Sequence, residues 1–142
     1  MVKHYETFVM TEDEYCYQYI GDMVKGFVKD SGIQSGIVTV VTAHTNTGII
    51  VTEPLDCILS DLDVLLHQLV KDDAEYSHAH FLNTYGRTSA NAYGHLRSIL
   101  TGNSCIFPIQ QGKMLMGEAQ EIVFMEYDGP QNRKVFVDVI GD

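Results

Sequence analysis

Residues 36–43, with the sequence GIVTVVTA, restrict the possible folds of this chain more than any other segment. The run is short and rich in β-branched residues, which is typical of a strand. It is apolar on both faces, whereas a strand with one wet face alternates apolar and polar residues. The segment therefore predicts a central strand covered on both sides. Residues 49–52 are a second piece of the same kind.

More strand candidates follow in the last third of the chain. They are residues 104–109, 113–116, 120–127 and 133–140. Gln111-Gly112 has the residues of a tight hairpin turn, and Asp128-Gly129-Pro130 those of a second turn. The order predicts a β meander. Residues 4–9 are a short candidate for an edge strand.

Helical signals lie between these strand candidates. Thr11 and Glu14 have the spacing of a capping box, and apolar residues at helical spacing follow until Ser31-Gly32. Pro54 opens a second stretch, whose predicted apolar face is Ile58, Leu62, Leu65, Leu66, Leu69 and Val70. Residues 95–100 predict a short helix that ends at Gly102. Strands and helices together predict an α+β fold.

Composition limits the class of protein. A chain of 142 residues fits one domain, spanning 1–142. No apolar run approaches the roughly 20 residues of a membrane span, and residues 1–10 show no secretory signal. Three cysteines without a CxxC pair are typical of the cytoplasm, where we expect the protein. A net charge of −10 argues against binding to nucleic acid or to an anionic membrane, but allows a local site for an anion.

The histidines supply most of the candidate chemistry. His4 and His67 fall in periodic segments and are interpreted as surface or half-buried residues. His44, His78, His80 and His95 fall at strand ends or in the irregular stretch of residues 74–94. Long irregular stretches in compact domains are more often functional than idle. His78-Ala-His80 has the spacing of a metal-binding pair on a strand, or belongs to an exposed loop.

Other polar residues have two interpretations each. Asn91 and His95 are four residues apart, so they share a face if the segment is helical, or Asn91 simply caps a helix. Glu126 lies in an otherwise apolar strand and needs a partner. It pairs with Arg133 across the turn, or enters a pocket as a base or metal ligand. Glu53 has the same ambiguity at the end of its strand.

The motifs together resemble the YjbQ-like family from about residue 31 onward. The matching pieces, in order, are TAHTNTG at 42–48, TEPLD at 52–56, YSH at 76–78, NAYGHLRSILTG at 91–102, LMGEAQ at 115–120 and EYDGPQNRKVFVDVIG at 126–141. The chain departs from the family pattern at Ala119, Gln131 and Asn46. The family has Trp and Arg at the first two positions and Thr at the third.

The resemblance implies a strand-rich two-layer sandwich with two main helices. It also implies a homotrimer with polar pockets close to the subunit boundaries. Members are described as secondary thiamine-phosphate synthases, which join hydroxymethylpyrimidine diphosphate to thiazole phosphate. By position, the implied pocket residues are His44, Thr45, Glu53, His78, Asn91, His95, Gln120, Glu126 and Arg133.

Three functional hypotheses follow. In the first, a transferase uses His44, His95 and Glu126 in catalysis and holds a phosphate-bearing substrate with Thr45, Glu53, Asn91, Gln120 and Arg133. A divalent ion, zinc or magnesium, is compatible with that chemistry. In the second, a non-catalytic module binds a metal or small anion, with His44, His78 and His95 as three metal ligands. In the third, the chain is a trimeric structural or interaction protein whose histidines serve packing.

Overall fold

The computed structural model describes residues 1–78 and 91–142. The strands are β1 (Val2–Met10), β2 (Cys16–Tyr19), β3 (Ser35–Thr42), β4 (Thr47–Thr52), β5 (Ser104–Gln110), β6 (Lys113–Met114), β7 (Glu121–Glu126) and β8 (Asn132–Gly141). The helices are α1 (Gly21–Ser31), α2 (Asp56–Leu69) and α3 (Ala92–Thr101). These elements form the α+β fold that the sequence predicts. Within the described ranges, no helix is long and apolar enough to cross a membrane.

The strands form two antiparallel sheets. A five-stranded sheet has the order β1-β8-β3-β5-β6, and a three-stranded sheet has the order β2-β7-β4. The predicted meander is therefore wrong. β5 and β6 do form a hairpin, but β7 leaves for the other sheet, and β8 returns between β1 and β3. The reason is that β7 is apolar on both faces, which suits the middle of a sheet covered on both sides.

The core has two layers, one on each side of the three-stranded sheet. Inward-facing valines of β3 and β8 meet Ile122 and Phe124 of β7. The opposite face of β7 carries Val123 and Met125, which pack with Leu59 of α2. β7 is thus the strand with two covered faces. β3 is central, as predicted, but Ile37 on its outer face is 38% exposed, so the prediction that both faces are covered is wrong for the described residues.

The first predicted helix is wrong at its start and right at its end. α1 begins at Gly21, because residues 16–19 pair with β7 as β2. Thr11 caps no helix: it is buried, and its hydroxyl donates to Glu126 Oε1 at 2.6 Å. A buried carboxylate needs donors, and that need takes precedence over the local capping pattern. Gly32 ends α1 in the left-handed conformation at φ 71°, as expected.

The buried face of the second predicted helix is right in part. Leu66 and Val70 of the predicted face are buried and Leu62 is half-buried, whereas Leu65 and Leu69 are 48% and 63% exposed and Leu59, which was not predicted, is buried. Apolar residues occur around much of this helix, so helical periodicity does not single out one face as the buried one. The packing against β7 then decides which residues are buried.

Candidate functional site

Two loops and one helix place the predicted pocket residues. β3 ends at Thr42, and the following residues carry His44 and Thr45 to the N-terminal half of α3. α3 approaches closely because its first turn contains Gly94. A Cβ on Gly94 would lie 3.2 Å from the Tyr127 carbonyl oxygen and 3.5 Å from Asn46 Cβ. The small residue in the NAYGH motif therefore lets His95 reach the loop after β3.

His95 is held by the backbone of that loop. Its Nδ1 lies 3.1 Å from the Thr45 carbonyl oxygen. A carbonyl oxygen only accepts, so Nδ1 carries the proton and donates it. In the neutral ring, Nε2 then keeps its lone pair. The contact fixes the orientation of the ring and leaves one nitrogen for a ligand.

His44 is held from the other side. The backbone N–H of Lys134 donates to His44 Nε2 at 2.8 Å, so the neutral ring carries its proton on Nδ1. Partial burial lowers the pKa of His44 below its usual 6.5, and the nearby Arg133 guanidinium lowers the pKa further. Protonation would also remove the acceptor that Lys134 uses. His44 is thus a neutral donor near pH 7.

His44 and His95 line one cavity of about 480 Å³. The other lining residues are Thr45, Ser98, Ile99, Gly102 and Asn103. Hydroxyl and amide groups, the two imidazoles and one aliphatic side chain make a mixed surface of the kind that small polar ligands occupy. The structure therefore brings together two motifs that are 51 residues apart in the sequence.

A second histidine lies beside His95. The rings of His78 and His95 have centroids 5.0 Å apart. Among residues 1–78 and 91–142, His78 Nδ1 and Asn91 Oδ1 are buried and have no hydrogen-bond partner. Neither residue lines the cavity, but the His78 ring lies against that of His95, which does.

Asp128 joins the two halves of the site. Its Oδ2 accepts from the side-chain amide of Asn91 at 2.7 Å and from that of Asn46 at 3.1 Å. Asn46 belongs to the loop that carries His44, and Asn91 precedes α3. One carboxylate therefore ties both histidine-bearing segments to the turn after β7. It acts on the pocket through these amides.

Glu126 and Arg133 form the buried ion pair that the sequence suggested. Arg133 Nε donates to Glu126 Oε1 at 2.7 Å, and its terminal nitrogen donates to Oε2 at 2.6 Å. Glu126 is 0% exposed and Arg133 is 6% exposed. Neither lines the cavity. The pair joins the two sheets, since β7 and β8 do not pair. This geometry favours the structural interpretation of Glu126 over a role as a base.

Glu53 and Gln120 lie apart from this site within the chain. β4 and β7 pair with Thr47 opposite Glu126 and Thr52 opposite Glu121. Glu53 follows Thr52 and Gln120 precedes Glu121, so both lie just beyond the far end of that ladder. This end is about 17 Å from Glu126 at the usual strand rise. Both are exposed. One chain therefore does not assemble the complete predicted residue set.

The predicted three-histidine metal set is not assembled either. Among residues 1–78 and 91–142, no three His, Cys, Asp or Glu side chains are placed to hold one metal ion. His44 Nε2 accepts from the Lys134 N–H of β8, which leaves Nδ1 as the ring nitrogen of His44 that is open to a ligand. His80, the other half of the predicted metal pair, lies outside the described residues.

Sequence reasoning missed two groups of the site. Ser98 lies one helical turn after His95 and lines the same cavity, and its hydroxyl donates to the Thr47 carbonyl oxygen at 2.5 Å. The i, i+3 spacing with His95 was the available signal. Asn46 was noted as a departure from a motif, yet its amide is what binds Asp128. Nothing in the local sequence indicates that partner, which is 82 residues away.

Comparison with known proteins identifies the family. A family model described as UPF0047 protein YjbQ-like matches residues 6–142. The chain belongs to this family. A UPF0047 protein of Methanothermobacter thermautotrophicus is 38% identical over 122 residues, which cover 86% of this chain and 80% of the relative. The UPF0047 protein YugU of Bacillus subtilis is 30% identical, covering 83% and 84%.

Solved structures of the family have the same fold. A YjbQ-like protein of unknown function from Sulfolobus solfataricus aligns with a TM-score of 0.90 at 26% identity, covering 100% of this chain and 99% of that one. A family member from Clostridium acetobutylicum aligns with a TM-score of 0.85 at 31% identity, covering 96% and 99%. The predicted YjbQ-like sandwich is therefore confirmed.

Proposed function

We propose that this YjbQ-like protein binds a small phosphate-bearing ligand in the cavity between His44 and His95. The observation that carries the proposal is the convergence of these two imidazoles on one cavity of about 480 Å³. His44 offers Nδ1–H as a donor, and His95 keeps Nε2 for a proton or a ligand. The His44 Nδ1–H donor suits an anionic oxygen, and His95 Nε2 accepts a hydrogen bond from a protonated phosphate oxygen.

The finer proposal is a secondary thiamine-phosphate synthase activity. In that reaction the bond between the pyrimidine methylene carbon and the diphosphate oxygen breaks, and its electron pair leaves with the diphosphate. The thiazole nitrogen then donates its lone pair to the methylene carbon. The His44 Nδ1–H would donate to the leaving diphosphate, His95 Nε2 would accept from a protonated oxygen of that group, and the cavity would hold the partners together. The family resemblance supports this reaction, and the pocket supports its leaving group.

The test combines binding with turnover. Protein purified without a histidine tag is mixed with the pyrimidine diphosphate and thiazole phosphate, with and without Mg²⁺, and thiamine phosphate is measured. We expect His95→Ala to abolish the product and His67→Ala to leave it unchanged. His67 is the matched control because its ring lies outside the cavity and bonds the Asp63 carbonyl oxygen at 2.8 Å. Equal product from both variants would contradict a catalytic role of the cavity.

A non-catalytic anion-binding protein is the second candidate. It is favoured by the lining of the cavity, since none of the described lining residues carries a carboxylate, and Glu126 is fully buried and bonded to Arg133. In this case calorimetry shows pyrophosphate binding that His95→Ala removes, while no thiamine phosphate forms. Absence of binding in the wild type would contradict both candidates.

We also propose that the chain assembles as a homotrimer through the outer face of the five-stranded sheet. Strand register places Val2, Ile140, Ile37 and Pro108 in one row across four strands. The first three are 61%, 37% and 38% exposed. An exposed apolar row on a sheet face that none of the three described helices covers is typical of an interface. Assembly would also offer a way to bring Glu53 and Gln120 of one copy to another copy's pocket.

Sedimentation tests the assembly. We expect a mass three times that of the chain for the wild type, and a smaller mass for Ile37→Lys. Val64→Lys, which puts the same charge on an exposed residue of α2, should keep the trimer. A monomeric wild type, or dissociation by Val64→Lys alone, would contradict this interface.

A further inference from the structure

A second cavity, of about 540 Å³, lies far from the histidines. It is formed by the last turns of α1, the loop to β3 and the hairpin between β5 and β6. The His95 cavity uses residues 102 and 103, just before β5, whereas this one uses Gln111, just after β5. The two cavities are therefore at opposite ends of the same strands, roughly 24 Å apart at the usual strand rise.

This cavity concentrates positive charge on an acidic protein. Lys25, Lys29 and Lys113 line it, which is half of the chain's six lysines, and no Asp or Glu lines it. Lys29 and Lys113 form no ion pair with any described residue, and Lys25 makes only an exposed 3.9 Å contact with Asp22. With 19 acidic and 9 basic residues in the chain, chance would place carboxylates here more readily than lysines.

The carboxylate of Asp30, next to Lys29 in the sequence, is bonded to a residue outside the cavity. Asp30 follows Lys29 directly, but its Oδ2 accepts from the Tyr5 hydroxyl at 2.8 Å. The Asp30 charge is thus held on the side of α1 that faces β1. Among the described residues, Lys29 and Lys113 have no counter-charge, which is the condition in which an external anion gains most from binding.

The floor of the cavity is apolar and its walls are tied together. Val28 and Ile33 line it and are each 2% exposed. The N–H of Gly112 donates to the Gln34 carbonyl oxygen at 3.0 Å, which fixes the hairpin against the loop after α1. Gln111 and Gly112 have φ values of 51° and 74°, as a tight hairpin turn requires. The cavity is therefore preformed.

From these features we propose that this cavity is a binding site for a small organic anion with an apolar body. The charged group, a phosphate, sulfonate or carboxylate, lies among the lysine ammonium groups, and the apolar body lies against Val28 and Ile33. Inorganic anions lack the body, and uncharged apolar molecules lack the lysine contacts, so both bind more weakly. The site is separate from the His95 cavity and does not depend on the function proposed there.

The experiment uses anilinonaphthalene sulfonate, an aromatic anion whose fluorescence rises on binding, and its uncharged analogue phenylnaphthylamine. We expect saturable binding of the sulfonate at one site. The double variant Lys29→Glu/Lys113→Glu should raise its Kd at least about tenfold. The matched double variant Lys3→Glu/Lys71→Glu makes the same change in net charge at exposed lysines elsewhere, and should change the Kd less than about twofold. Neither double variant should change the binding of phenylnaphthylamine.

Location is checked separately by nuclear magnetic resonance. Methyl signals of Val28 and Ile33 should shift and saturate in parallel with the fluorescence. The lysines are exposed, so the variants should fold, and circular dichroism verifies this. If the two double variants weaken sulfonate binding equally, the effect comes from net charge alone and the proposal is overturned. Methyl shifts confined to other parts of the chain, or no saturable binding, would overturn it as well.

Discussion

Single side chains near the cavity are held in defined protonation states by backbone contacts. The neutral form of His44 accepts from the Lys134 N–H, and burial lowers its pKa below 6.5. The unfolded chain therefore takes up this proton at a higher pH than the folded protein. The stability that neutral His44 contributes is complete above its unfolded pKa and is lost as pH falls through its folded pKa.

This gives a prediction for acid stability. Between about pH 7.5 and pH 5.5, the wild type should lose more free energy of unfolding than His44→Asn, which keeps an acceptor but does not titrate. The measurement is urea unfolding at both pH values. His4→Asn is the control of opposite sign, because hydrogen bonds to Asp138 and then Glu6 raise the pKa of His4. Protonated His4 therefore stabilises the fold as pH falls, and His4→Asn should lose more free energy of unfolding than the wild type over this range. A loss in His44→Asn equal to that of the wild type would contradict the assignment.

The buried ion pair gives a prediction of larger size. Glu126→Gln leaves the Arg133 charge buried without a counter-charge, and should cost about 3–5 kcal/mol in the free energy of unfolding. Asp22→Asn removes one partner of the exposed pair with Lys25 and should cost less than about 1 kcal/mol. Chemical denaturation measures both. A small, equal effect of the two substitutions would show that Glu126 is not the structural partner described.

At the scale of elements, close contact of α3 with the loop after β3 brings the two histidines together. Gly94→Ala would place a Cβ 3.2 Å from the Tyr127 carbonyl oxygen, while Gly26→Ala in α1 meets nothing within 4 Å. We expect Gly26→Ala to stabilise by about 0.5–1 kcal/mol through helix propensity alone. Gly94→Ala should be less stable than Gly26→Ala by about 1 kcal/mol or more, since the contact must relax.

Thermal unfolding and nuclear magnetic resonance check this pair. The Gly94→Ala change should also shift the His95 ring signals, because the ring is positioned by the same approach. Equal stabilisation by both alanines, with unshifted His95 signals, would mean that α3 is not packed as closely as described.

Sequence alone predicts where strands and turns occur better than it predicts which strands pair. The β-branched runs, Gly32 and the Gln111-Gly112 turn are local signals, and each predicts the observed local structure. The Thr11 capping pattern fails because its partner, Glu126, is 115 residues away. The sheet membership of β7 and the buried face of α2 also depend on distant partners. Local periodicity carries no information about these contacts.

The same division holds for the candidate site. Strand ends and family motifs pointed to His44 and His95, which do share a cavity. Their common anchor, Asp128, binds amides from two separate segments, and no spacing rule connects these three residues. His44, His78 and His95 form no three-residue metal group among the described residues, and the contact of His44 Nε2 with the β8 backbone is likewise long-range.

At the scale of the whole molecule, the described residues form two sheets of unequal size, with a cavity at each end of β3. The outer face of the larger sheet carries the apolar row proposed as the trimer interface, and the two cavities differ in character. One is lined by two imidazoles, and the other by three lysine ammonium groups. Their separation means that each can be tested without disturbing the other.

The most direct test of the histidine cavity is a nuclear magnetic resonance titration of the imidazole signals with pyrophosphate. We expect the His44 and His95 rings to shift together and saturate at one concentration, with His4 and His67 unmoved. His95 Nε2 should show the shift of a nitrogen that gains a proton or a hydrogen bond. Shifts confined to His4 and His67, or no saturation at any ring, would contradict a shared ligand site at His44 and His95.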